Sequence, residues 1–395
     1  MEKETNLNKI FKLFFSKDNI EIQTLAYSLN LFLPTLILII SSFFQDYIFT
    51  AELGILIGVN IVFTQIFSAN IRSLVLSKKN TNSLFSYIFF RLIISFVILI
   101  LNLVILNYLN YANNFLLFLI AITITLQWQI ELILTSYEIK KQNHYFYLYI
   151  FISLIFFVFV LLDFMFYKNL IFVISLYNFA LIYYYFIGFF KEKKRLNSFK
   201  KIFISSINTS NFFSSLSISI VNLFWRIFIV YFCGKVLAGI FFASFALGSL
   251  PGTLFNNTFG PTIINNNIKI KNKINFFIYI YVILIILLSL ISLYYIDLIF
   301  TDNSITQIFG TLLSLFGTYF MVKGLYARQY MIQKTPYQSL VFKYDILYSF
   351  FLFFIVPILY FFKGEKMVII SFLVSSIISF VLYSIVKKKI LNKKK

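Results

Sequence analysis

Charge is scarce in this 395-residue sequence, at 12% of residues, and there is one cysteine, Cys233, and one histidine, His144. A lone cysteine excludes an intrachain disulfide and any cysteine-based metal site. The histidine stands beside Lys140 and Lys141, as an interfacial residue does, so zinc, haem and iron–sulfur chemistry lack a ligand set. No cofactor and no metal is expected. Ordinary soluble domains are about a quarter charged, which excludes that class. No small-residue cleavage site follows the polar N-terminal stretch, so no removable signal peptide is read there.

What is present is apolar: 60% of residues are hydrophobic and 21% aromatic. They form runs of about twenty residues, the length that crosses the roughly 30 Å hydrocarbon core as a helix. We read an all-α polytopic membrane protein with about twelve such spans, at 22–44, 53–74, 85–107, 115–138, 145–167, 169–190, 203–230, 237–259, 275–300, 305–327, 340–362 and 367–387. The loop after the second run carries Lys78 and Lys79, whereas the one before it has Asp46 and Glu52 and no base. Basic loops stay cytoplasmic, and an even count puts both basic termini on that side of the inner membrane. Lys168, Lys235, Lys363 and Lys366 fall outside by this reading. The net charge of +20 therefore orients the chain against anionic lipid and does not mark a nucleic-acid partner.

The run Lys191-Glu192-Lys193-Lys194-Arg195, with Lys200 and Lys201, divides the chain in half. The expected organisation is a cytoplasmic segment 1–21, an N-lobe 22–190, a basic linker 191–202, a C-lobe 203–387 and a basic tail 388–395. Transporters are often built from two such halves with the substrate between them. External loops of only about two to eight residues leave little room for a catalytic centre, which argues against an enzyme.

Polar residues inside spans cost at least about 2.5–3.5 kcal/mol when charged, so they face a cavity or a partner. In the seventh span, Asn208, Asn211, Ser215, Ser219, Asn222 and Arg226 fall within an arc of about 80° at 100° per residue. Such a stripe is either the wall of a polar cavity or interhelical hydrogen-bonding glue. Arg226 lies toward the outer end of its span, where bases are disfavoured. In the second span Asn60, Thr64, Gln65, Ser68 and Arg72 share one side. Arginines stay charged and bind phosphate oxygens in bidentate fashion, so Arg72 and Arg226 suit a phosphorylated substrate; Arg72 also fits a simple orienting residue. Gln127, Glu131 and Glu138 share a face of the fourth span, and Arg91 in the third lies at the depth of Glu131. Arg91 and Glu131 are read as a structural ion pair or, alternatively, as a coupling-ion site. Pro34, Pro251 and Pro357 mark bends, and Gly310, Gly317 and Gly324 form a small-residue face.

The stretch Trp225-Arg226-Ile227-Phe228-Ile229-Val230, then Gly234, Ala238-Gly239-Ile240-Phe241, Ala243 and Leu250-Pro251 to Pro261, resembles the polysaccharide (O-antigen type) flippases. These belong to the multidrug/oligosaccharidyl-lipid/polysaccharide (MOP) exporter superfamily. Glu52-Leu53-Gly54-Ile55-Leu56 is similar to that family's N-terminal half, and the tenth span running into Arg328, Gln329, Gln333 and Lys334 to its C-terminal half. Trp225 stands where an acidic residue commonly precedes the arginine. The resemblance implies a two-lobed, MOP/MATE-like exporter fold with alternating access. It implies a polyprenyl-pyrophosphate-linked oligosaccharide as cargo, moved to the outer leaflet, with other polysaccharide-assembly membrane proteins as partners. On that expectation Arg226 and Arg72 hold the phosphates, Asn208, Asn211, Asn222 and Asn60 meet the sugars, and Ser215 lines the cavity. Lys323 and Arg328 are weaker candidates for first phosphate capture. A cation-coupled multidrug antiporter of the same superfamily is the alternative, and a membrane-embedded glycosyltransferase or polymerase a further one.

Overall fold

The structure is a computed structural model and describes residues 20–30, 32–68, 84–109, 111, 113–167, 169–192, 209–254, 283, 285–291, 293–300, 302–334 and 338–392. The regular elements among them are helical. They are α1 (Ile20–Asn30), α2 (Phe32–Phe43), α3 (Tyr47–Ser68), α4 (Leu84–Leu109), α5 (Asn114–Lys140) and α6 (Asn143–Leu162), which ends in a π turn at Asp163–Tyr167. There follow α7 (Leu170–Glu192), α8 (Thr209–Leu254), α9 (Ile296–Ile299), α10 (Asn303–Lys334), α11 (Gln338–Lys363), α12 (Glu365–Val368) and α13 (Ser371–Asn392). Nine helices among the described residues are long and apolar enough to cross a membrane. The chain is a multi-pass membrane protein.

One of the nine spans twice. α8 has 46 residues, about 69 Å of helix at 1.5 Å per residue, twice the hydrocarbon thickness. Within it Gly234 has φ 74° and ψ 169°, a conformation that a side chain strains and glycine adopts freely. The rings of Trp225 and Phe245 are 5.3 Å apart, although a straight helix would separate them by about 30 Å. The chain therefore doubles back at Gly234, and the seventh and eighth expected spans are the two arms of α8. The expected first span is the pair α1 and α2; the ninth lies largely outside the described residues.

The described residues group into two compact units. The first draws on Met1–Pro34, Asn70–Tyr108 and Phe118–Ser206, the second on Thr35–Ala69, Leu109–Leu117 and Ile207–Lys395. Residues 35–69 thus group with the second half of the chain, because α3 packs along α8.

The first unit is built around hydrogen-bonded polar side chains. Asn30 donates to the Gln127 carbonyl at 2.8 Å and accepts from the Tyr149 hydroxyl at 2.6 Å. Thr123 donates to Asn178 at 2.8 Å and Gln129 to Ser95 at 2.6 Å. Cross-helix bonds of this kind are what let polar residues sit inside a bilayer.

In the second unit α8 packs against α3, α10 and α11, and α10 against α13. Small residues bring these axes together. A Cβ added at Gly248 would lie 1.7 Å from the Ser314 hydroxyl, and one at Gly324 would lie 2.8 Å from that of Ser379. The hydroxyls close the gaps: Ser314 donates to the Ser244 carbonyl at 2.8 Å and Thr318 to the Gly248 carbonyl at 2.6 Å. Where lipid is as apolar as the helices, such close packing and cross-helix bonds supply the attraction.

Candidate functional site

The seam between α3 and α8 carries the polar stripe. The two helices run antiparallel there, since Glu52 meets Lys235, Gly54 and Gly58 meet Arg226, and Gln65 meets Ser219. Positions 219, 223 and 226 lie on one helical face, as do 54, 58 and 65. Arg226 stands eight residues from the Gly234 turn, about 12 Å along the helix.

Two glycines make the seat of this arginine. Its Nη1 donates to the Gly54 carbonyl. A Cβ at Gly58 would lie 2.9 Å from the arginine Cδ, and one at Gly54 would lie 2.2 Å from the Phe242 ring. Phe242 in turn faces the guanidinium, its ring centroid 5.7 Å from Cζ, within reach of cation–π attraction. Among the described residues no carboxylate pairs with Arg226, and its remaining donors have no protein acceptor. Trp225, at the position where an acid was anticipated from the resemblance, is buried against Phe245 and joins the two arms of α8.

Along the same stripe, Ser215 and Asn222 are half-buried, and their side chains have no hydrogen-bond partner among the described residues. Ser219 differs: its hydroxyl donates to Gln65 Oε1 at 2.8 Å, so this position is packing glue. Asn222 precedes Arg226 by one turn. The arrangement therefore offers an unneutralised guanidinium, an amide and a hydroxyl over about 16 Å of helix, suited to an anionic group continued by hydroxyl-bearing ones.

The other anticipated residues are placed as follows. Asn60 is fully buried, its amide donating to the Leu56 carbonyl of its own helix, which turns it away from a substrate role in this conformation. Arg72 and Asn208 lie outside the described residues, as does the side chain of Asn211. Lys323 is exposed and bonded to Tyr319, over whose ring its Nζ lies at 4.2 Å. Arg328 is already committed to a protein carboxylate: Nε and Nη2 each donate at 3.0 Å to Asp345. In the first unit Arg91, fully buried, meets Glu131 at 3.0 Å and donates to the Trp128 carbonyl at 2.6 Å. Among the described residues no cluster of His, Cys, Asp or Glu is placed to hold a metal.

Sequence reasoning passed over Asp345. It is fully buried and also accepts from Ser214 and Tyr383, so one carboxylate gathers side chains from α8, α10 and α13 onto α11. An acid within the apolar run 340–362 was the available signal. It also passed over the glycine seat, whose signal was the i, i+4 spacing of Gly54 and Gly58.

No family model and no curated protein matches this chain. Among solved structures it resembles a MOP superfamily transporter from Pyrococcus furiosus, with 14% identity over 100% of both chains and a TM-score of 0.51. An outward-facing structure of a multidrug resistance MATE family transporter of the MOP superfamily aligns over 95% of this chain and 98% of its own, at 12% identity and a TM-score of 0.48. An inward-facing one covers 98% and 97%, at 12% and 0.49. The fold is that of the MOP superfamily transporters.

Proposed function

We propose that this chain is a flippase-type exporter of the inner membrane, carrying a polyprenyl-pyrophosphate-linked oligosaccharide to the outer leaflet by alternating access. The observation that carries the reading is the state of Arg226. Of the three arginines buried or half-buried among the described residues, Arg91 and Arg328 are each neutralised by a carboxylate, and Arg226 is not. A charge kept unpaired in the bilayer costs several kcal/mol, and a site that receives an anion gives that cost a use. Asn222 and Ser215 continue the stripe on α8 as sugar contacts. Both termini are cytoplasmic in this reading, on the side of the basic loops.

The multidrug alternative calls for free carboxylates facing a cationic drug. Glu131 and Asp345 are both held by arginine, which favours an anionic cargo. For the Pyrococcus furiosus protein, reverse polarity of the binding pocket is said to suggest a different function; cargo sign in this fold is thus best read from the side chains themselves.

The test is transport in proteoliposomes of a fluorescent, short-chain prenyl-pyrophosphate sugar, competed by a cationic dye. Arg226→Ala should slow transport by about tenfold to a hundredfold, the worth of a charge-assisted hydrogen bond or two, while Arg226→Lys retains part of the rate. Transport of the dye alone, or an unchanged rate in Arg226→Ala, would overturn the reading.

A further inference from the structure

Lys363 and Lys366 are bases on the side where the charge pattern disfavours them, and the proposed transport makes no use of either. Both border the turn at Gly364, where φ is +68°, which links α11 through α12 to α13. Beside that turn, within the second unit, lies a groove of about 510 Å³. Phe350, Phe351, Phe354 and Ile358 of α11 line it together with Val374 and Ile378 of α13. Its aromatic wall is open: Phe350 is 60% exposed and Phe354 41%.

Its dimensions are those of one leaflet. From Phe350 to Leu359, another lining residue, is nine residues or about 14 Å of helix, against about 15 Å for half of the hydrocarbon core. Lys363 follows Leu359 by one turn, is exposed, and has no ion pair among the described residues. Glu365 stands between the two lysines, leaving the turn with an excess of one positive charge. Hydrocarbon-lined space below and a base at headgroup depth are the two halves of an amphiphile site. A chain of many isoprene units is far longer than the groove, whereas an acyl chain matches it.

We propose that this groove holds one anionic phospholipid of the leaflet that the Gly364 turn faces, an acyl chain lying along Phe350–Ile358 and the phosphate at Lys363. The site stands apart from Arg226 and does not depend on the cargo proposed for it.

Lipid retained by the purified full chain is measured by native mass spectrometry after exchange into phosphatidylglycerol or phosphatidylcholine of identical chains. Wild type should retain phosphatidylglycerol about fivefold better, the worth of one surface base. Lys363→Gln should lose that preference and keep the lipid, and Val374→Phe, which fills the groove, should lose both lipids while remaining monodisperse. Equal retention of both lipids by wild type, or a preference that survives Lys363→Gln, would overturn the site. So would competition by inorganic phosphate at millimolar concentration, because the base would then be acting as a simple surface charge.

Discussion

Arg91 in the first unit and Arg226 in the second pose the same physical problem, a guanidinium deep within an apolar span, and the units answer it differently. The first surrounds its arginine with a carboxylate, a backbone carbonyl and the Trp128 ring, whose centroid lies 4.7 Å from Cζ. Asn30, Thr123, Tyr149 and Asn178 are likewise engaged with neighbouring helices across α1, α5, α6 and α7. The second unit closes one arginine, Arg328, in the same manner and leaves the other on a single carbonyl and an aromatic face. A neutralised pair consumes the charge it contains and serves the fold. An unneutralised base conserves its charge for something that arrives.

The comparison breaks most violently at Asp345. Asp345→Asn would leave Arg328 buried opposite a neutral amide, giving it the condition of Arg226 without the site around it. Removing one partner of a buried pair costs about 3–5 kcal/mol, so the variant should unfold at markedly lower temperature in detergent. Adding Arg328→Gln should recover part of the loss, since no orphan charge then remains. Glu131→Gln should fall at the lower end of the range, because Glu131 is 28% exposed and water reaches it. A thermal unfolding series that ranks these variants otherwise would show that neutralisation is not what Asp345 supplies.

The glycine seat sharpens the comparison next. A Cβ at Gly54 meets the Phe242 ring at 2.2 Å, and Gly54→Ala should cost about 1–3 kcal/mol by overpacking. At Gly58 the clash is with Arg226 Cδ at 2.9 Å, toward the movable end of a flexible side chain. There the roughly 1 kcal/mol gained from alanine in a helix offsets the crowding. Gly58→Ala should therefore unfold near the wild-type temperature while displacing the guanidinium from the Gly54 carbonyl and slowing transport severalfold. Equal thermal losses in both variants would mean that Arg226 is held by more than this seat.

These particulars also show what could be read without coordinates. The spans were legible because twenty-residue apolar runs leave no other solution in lipid. The Arg91–Glu131 contact was legible because a hairpin brings equal depths together. α8 was legible as two spans because 203–230 and 237–259 are each long and apolar enough to cross. The α3–α8 register was not, because it joins residues more than 150 positions apart and rests on glycines that acquire meaning only opposite Arg226 and Phe242. Without that register Asn60 and Gln65 look alike on the second span. The structure turns Asn60 onto its own backbone and Gln65 toward Ser219. Asp345 could have been found by counting acids within spans, and it changes the reading of Arg328 from an open base to a closed one.

The smallest expected change in stability is the most direct test of the difference between the units. Asn222 is one turn before Arg226 on the same face of α8, half-buried and without a side-chain partner among the described residues. Asn222→Asp adds one negative charge, with almost no change of volume, at the i, i+4 spacing where an acid and a base attract. The attraction of the pair is offset by the cost of taking the new carboxylate out of water, so the net change in thermal unfolding should be small. Its effect on the site is larger than its effect on the fold, because a carboxylate in reach of Arg226 does to it what Glu131 does to Arg91. Transport of the pyrophosphate-linked probe should then drop to near that of Arg226→Ala. Asn222→Ala separates the charge from the lost amide and should slow transport only modestly. If Asn222→Asp carries the probe as fast as wild type, the openness of Arg226 to an anion is not what drives transport.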